Sequence, residues 1–142
     1  MVTGQKQADQ VLVIENDAAT RETILTTLKR AGYRTMGTSS GERAAVHLGT
    51  DRAAEAVTAI LCDIRTPKIK GVEPTMYLRA RYPDIPVIVT ADYADIEWAI
   101  TLMKRGAADY LVKPVSKEDL LMVMKSAIRQ KTAVGRFSPR PD

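Results

Sequence analysis

Four short apolar runs in this chain each end on a polar side chain suited to phosphate chemistry. Val11-Leu12-Val13-Ile14 leads into Glu15-Asn16-Asp17, and Ala59-Ile60-Leu61-Cys62 leads into Asp63. Val87-Ile88-Val89 leads into Thr90, and Tyr110-Leu111-Val112 leads into Lys113-Pro114. Runs of this length and composition predict buried strands. If the strands are parallel neighbours, their acids, hydroxyl and lysine meet at one set of strand ends. Open α/β sheets bind ligands in the crevice outside those ends. Acids, a hydroxyl and an ammonium there outline a site for a phosphoryl group and a divalent cation. Asp63 is the central candidate, because it closes an apolar strand and is followed at once by a turn, Ile64-Arg65-Thr66-Pro67. The plainer alternative for it is a cap or turn aspartate.

The elements that must position these residues alternate along the chain. Ile24, Leu25 and Leu28 mark one face of a helix from about Ala18 to Ala31, with Gly32 where a C-cap is expected. A weaker strand follows at Arg34 to Thr38. Ser39-Ser40-Gly41-Glu42 predicts the N-cap of a short alanine-rich helix reaching about Leu48. Residues 49–57 read as a loop or the fraying end of that helix. Pro74, after Gly71, suits the first turn of a helix ending near Tyr82-Pro83. Ile96, Ala99, Ile100 and Met103 give the stripe of the next helix, closed by Gly106. Ser116 caps the last helix, whose buried stripe is Leu120, Leu121, Met124, Ala127 and Ile128. Five strands and five helices in strict alternation predict a doubly wound α/β domain, with a parallel sheet covered on both faces.

Length and composition bound the class. The 142 residues suit one domain. Residues 1–9 read as a disordered N-terminal segment, 10–130 as the domain, and 131–142 as a basic tail or linker. Residues 1–124 carry 16 basic and 16 acidic side chains, so the net charge of +4 comes from Lys125, Arg129, Lys131, Arg136 and Arg140 against Asp142. Five charges spread over that stretch read as a solvated tail rather than a nucleic-acid surface. One cysteine, Cys62, allows no internal disulfide, and a reducing cytoplasmic setting fits. No apolar run approaches the roughly 18 residues of a membrane span. No glycine loop for phosphates follows the first strand, where Asn16-Asp17-Ala18-Ala19 stands, which disfavours a nucleotide-binding enzyme.

In their order and spacing, Val11–Asp17, Ile60–Pro67, Pro86–Ala91 and Gly106–Pro114 resemble the receiver domain of a two-component response regulator. The resemblance covers about residues 10–130. It implies a single flavodoxin-like (βα)5 domain with sheet order 2-1-3-4-5. It also implies a signalling phosphoacceptor, which at most catalyses its own phosphorylation and dephosphorylation. Asp63 would take the phosphoryl group from a histidine kinase or phosphotransfer protein. Mg²⁺ would be held by Glu15, Asn16, Asp63 and the backbone carbonyl of Arg65. Thr90 and Lys113 would bind phosphoryl oxygens, Lys113 preceding a cis peptide bond that aims it inward. Ala91 would leave room for the group, and Tyr110 would change rotamer on activation. Arg65 and Asp92 would tune the acyl phosphate's lifetime, pairing across the mouth of the site.

Output would pass through the fourth helix, fifth strand and fifth helix to a downstream effector domain or protein, or to a second copy of the domain. No membrane and no direct nucleic-acid contact are expected for this segment. Trp98 lies off its helix's apolar stripe, so its ring should be partly exposed there.

The chain departs from the pattern at Glu15 and Asn16, where two aspartates are usual, and at Lys70, where an acid is frequent. A neutral amide at position 16 predicts weak Mg²⁺ binding. It also keeps open an alternative, a pseudo-receiver interaction module that works without phosphate. His47 has no base or metal partner in sequence, and Cys62 reads as a small buried hydrophobe.

Overall fold

A computed structural model describes residues 9–137. The element order is β1 (Gln10–Ile14), α1 (Ala18–Arg30), β2 (Arg34–Thr38), α2 (Gly41–His47), α3 (Asp51–Ala56), β3 (Val57–Asp63), α4 (Pro74–Arg81), β4 (Val87–Ala91), a 3-10 turn (Tyr93–Asp95), α5 (Ile96–Lys104), β5 (Asp109–Val112) and α6 (Lys117–Phe137). The five strands form one parallel sheet of order β2-β1-β3-β4-β5. The chain goes from β1 to one side for β2, then crosses back to the other side for β3. The strand order therefore reverses at β1 and β3, and the crevice at their C-terminal ends is the expected ligand position.

The Val- and Ile-rich strands are buried on both faces, as a parallel sheet under two helix layers requires. Val11, Val13, Ala59, Leu61, Ile88 and Leu111 pack with α1 and α6 on one face. Leu12, Ile14, Ile60, Cys62 and Val87 face α2 and α4. Val89 and Ala91 meet Ala99 and Leu102 of α5 in a third cluster. Helix α1 ends in a Schellman turn, with Tyr33 N donating to Leu28 O at 3.1 Å and Gly32 N to Lys29 O at 3.0 Å. Gly32 supplies the φ of +100° that this turn needs. Among the described residues no helix is long and apolar enough to cross a membrane.

Three readings of the elements are corrected. Residues 49–57 are not a loop: Thr50 starts a separate helix, its hydroxyl accepting from Ala53 N at 3.0 Å, so among the described residues six helices accompany the five strands. The last helix does not stop near Gln130 but continues to Phe137, since Lys131 to Val134 contain no breaker and a helix tolerates one interior glycine, Gly135, at a cost of about 1 kcal/mol. The apolar stripe of α5 is not Ile96–Ala99–Ile100–Met103. Ala99 and Leu102 are buried, while Ile100 and Met103 are 40 % and 37 % exposed. Residues 1–8 and 138–142, read as disordered segment and tail, lie outside the described residues.

The loop after β3 closes with a two-residue turn. Ile69 N donates to Val72 O and Val72 N to Ile69 O, both at 2.9 Å. Lys70 and Gly71 at its tip have φ of 51° and 81°. This primed turn geometry needs left-handed backbone at both central positions, and a lysine there costs about 1–2 kcal/mol relative to a residue that tolerates it. Lys70→Asn should stabilise the fold by about 0.5–1 kcal/mol and raise the thermal midpoint by about 3 °C. An unchanged or lower midpoint in a thermal melt would count against that strain.

Candidate functional site

Side chains alternate across a strand with period two. Val13, Leu61, Ile88 and Leu111 all belong to the cluster under α1 and α6. Two residues further along their strands come Glu15, Asp63, Thr90 and Lys113. All four therefore extend the same face of the sheet beyond its apolar core. The register sets their neighbours. Ile14 pairs with Cys62, so Glu15 falls beside Asp63. Asp63 pairs with Thr90, and Ala91 pairs with Val112 just before Lys113. Lys113 N is also tied to Ala91 O at 2.8 Å, and the Lys113–Pro114 bond is cis, as the resemblance implies.

Lys113 is the electrostatic centre. Its Nζ lies 2.8 Å from Glu15 Oε1 and 2.8 Å from Asp63 Oδ1. Glu15 is 2 % exposed and Asp63 8 %. Burial opposes the ammonium's charge, but hydrogen bonds and attraction from Asp63 and Glu15 outweigh it and raise the Lys113 pKa. Thr90 is 2 % exposed. Thr66, which sequence reasoning missed, fixes the turn after Asp63: its hydroxyl donates to Asp63 O at 2.6 Å and its N–H does so at 3.0 Å. A threonine three residues past the acid was the available signal. Cys62 is fully enclosed, and burial pushes its thiol up to about 12, so it stays protonated and unreactive.

The end of β1 is braced from α1. Asp17 caps that helix, Oδ2 accepting from Thr20 N at 2.8 Å and Thr20 Oγ1 at 2.6 Å, and the Thr20 hydroxyl bond is the main cause of its lowered pKa. Glu15 Oε2 accepts from Asp17 N at 3.0 Å. Arg21, also missed from sequence, donates from Nη1 to Glu15 O at 2.6 Å. Asn16 is exposed beside this knot.

The structure does not bring Arg65 to Asp92. Arg65 Nε donates instead to Asp95 Oδ2 at 2.8 Å. Asp92 begins the 3-10 turn, and Asp95, three residues on, is carried round to the side facing the loop after β3. Ala91 and Tyr110 belong to the cluster under α5, on the opposite face from Thr90 and Lys113. Trp98 is 40 % exposed, as expected, with Arg105 stacked 5.9 Å from the ring centroid. Lys70 is exposed, and His47 sits in the last turn of α2.

The two carboxylates, the amide and the backbone carbonyl that the resemblance names are all oxygen donors, the kind that a hard divalent cation of the Mg²⁺ type takes. No group of three acidic, histidine or cysteine side chains able to hold a metal stands together among the described residues. With Lys113 between the two acids, the site's net charge is −1. The donors therefore fit Mg²⁺ in kind, with less charge than a three-acid site.

A family model described as the response regulator receiver domain matches residues 11–125. The response regulator protein FleR of Pseudomonas aeruginosa is 36% identical over 124 residues, 87% of this chain and 25% of its own length. The response regulator MprA of Mycolicibacterium vanbaalenii is 29% identical over 87% of this chain and 52% of its own. The chain thus spans a quarter to a half of these relatives. A receiver domain protein of Clostridium thermocellum superposes with a TM-score of 0.78 at 26% identity, covering 89% of this chain and 98% of its own. NtrX of Brucella abortus shares the fold, with a TM-score of 0.82 at 22% identity over 93% of this chain and 30% of its own. On the match over residues 11–125 and the kinship with FleR, this chain belongs to the response regulator receiver domain family.

Proposed function

We propose that this domain is a phosphoacceptor switch, charged by a histidine kinase or phosphotransfer protein. One observation carries the reading: Glu15, Asp63, Thr90 and Lys113 issue from four neighbouring strands onto one face at the sheet's switch point. In the transfer, an Asp63 carboxylate oxygen bonds to phosphorus while the bond from phosphorus to the donor imidazole nitrogen breaks, its electron pair staying on that ring. Lys113 exchanges a carboxylate for a phosphoryl oxygen, acting as a point charge, and Thr90 donates its hydroxyl to another. Receiver domains generally bind Mg²⁺ at their acidic pocket, and the ion supplies charge that offsets the repulsion between the incoming phosphoryl group and the carboxylates. Glu15, Asn16, Asp63 and the Arg65 carbonyl would hold it.

A groove of about 480 Å³ runs beside Lys113, between Thr20, Thr23 and Ile24 of α1 and the Pro114–Val115 segment. It gives a phosphodonor protein a way to the site. Phosphorylation would draw Thr90 toward Asp63, and Tyr110, under α5 on the other face of the sheet, would change rotamer in response. The output surface is then α5, β5 and α6, where Trp98, Ile100 and Met103 are exposed to anchor an effector or a second copy of the domain. The setting is cytoplasmic, with no membrane contact and no direct nucleic-acid contact by this segment.

A second reading, an interaction module that signals without phosphate, is favoured by one feature. Both Glu15 carboxylate oxygens are already engaged, by Lys113 and by Asp17 N, and Asn16 beside them is neutral. Phosphoryl uptake from acetyl phosphate and Mg²⁺, read by mass, separates the two; no uptake favours the module. The altered site also makes a prediction of its own. Asn16→Asp should tighten Mg²⁺ about tenfold, equivalent to about 1.4 kcal/mol, because it adds a charge where the wild type has a dipole. An unchanged midpoint in a Mg²⁺ titration would remove position 16 from the metal site.

A further inference from the structure

Arg65 follows Asp63 by two residues, and its side chain is 64 % exposed, yet its guanidinium is tethered. The single bond from Nε to Asp95 Oδ2 joins the loop after β3 to the 3-10 turn that leads into α5. Asp95 stands at the N-cap of α5 and makes no capping bond to its own helix. Its carboxylate is committed to Arg65 instead. Among the charges acting on the guanidinium, the Asp95 hydrogen bond and charge lead, with Asp92 and Asp63 contributing as well.

We propose that Asp95 holds Arg65 in reserve, and that a phosphoryl group on Asp63 takes the guanidinium from it. This rests on Asp63 being the phosphoacceptor. A phosphoryl group carries about −1.5 to −2 charge and three acceptor oxygens, against one carboxylate charge on Asp95. Arginine matches such a group with two parallel N–H donors, whereas the resting contact uses one. The exchange adds a cation to the charged site and unfastens the turn ahead of α5, three residues before Trp98. Asp95 is then a positioning residue, acting on the site only through Arg65.

The test is beryllofluoride, a tetrahedral phosphoryl analogue, titrated in Mg²⁺ into the full chain and followed by ¹⁹F NMR of the bound species. Asp95→Ala and the isosteric Asp95→Asn should each tighten binding by about two- to fivefold, the range open to an exposed pair. Arg65→Ala should weaken it, and Arg65→Ala with Asp95→Ala should match Arg65→Ala alone. If Asp95→Ala tightens binding as much without Arg65 as with it, general charge repulsion explains the gain and the proposal fails. No change in either Asp95 variant also overturns it. Wild-type protein that takes neither beryllofluoride nor a phosphoryl group would sink the reading beneath it.

Discussion

The Asp63→Ala protein, incubated with acetyl phosphate and Mg²⁺, should gain no phosphoryl group, while the wild type should gain one that hydroxylamine removes. Loss of a nucleophile typically lowers such a reaction by about a thousandfold or more. The surrounding acids give no substitute. Glu15 is buried, with one oxygen on Lys113 and the other on Asp17 N. Asp17 is spent on Thr20, and Asp95 on Arg65. Asp63 itself has one oxygen on Lys113, at a strand end that faces Thr90. The fold should survive the change, because Lys113 keeps Glu15 as partner and the apolar residues of β3 are untouched; an unaltered far-UV spectrum checks this. A label that persists in Asp63→Ala would move the phosphoacceptor elsewhere.

Much of this site is legible in the sequence, for a physical reason. A buried parallel strand must be apolar throughout, so a carboxylate, hydroxyl or lysine at its end stands out against the run before it. The same contrast locates β1, β3, β4 and β5. It fails where the information is not along the chain. Arg65 and Asp95 are thirty positions apart, and whether Asp92 or Asp95 meets the guanidinium depends on the 3-10 turn between them. Arg21's reach to Glu15 O needs the helix docked first. Ile100 and Met103 read as core because helical spacing suits them as well as it does Ala99 and Leu102, and only packing shows which side faces the sheet. Thr50 is hard to read as a cap because Gly49 before it looks like an ending, although a new helix starts one residue later.

The Lys113→Met variant should lose about 3 kcal/mol of stability, the lower end of the cost of breaking a buried pair. Lys113 has 17 % of its side chain exposed, whereas the Glu15 and Asp63 side chains have 3% and 9%. Removing the ammonium leaves two nearly buried carboxylates facing each other without a cation, and that repulsion, rather than the lost bonds alone, dominates the cost. Glu15→Gln combined with Lys113→Met removes one of the two charges and should recover about half of the loss. The pH dependence follows from the raised Lys113 pKa. A lysine whose pKa is higher folded than unfolded contributes stability in full below its unfolded value, near 10.4, and loses it as pH rises through the folded value. The gap between wild type and Lys113→Met should therefore narrow as pH rises above about 10. Denaturant melts of both proteins at several pH values measure it. A gap under about 1 kcal/mol at neutral pH would mean that the triad is no more than a surface pair. Retained phosphoryl uptake in the variant would mean that Asp63 does not need the ammonium beside it.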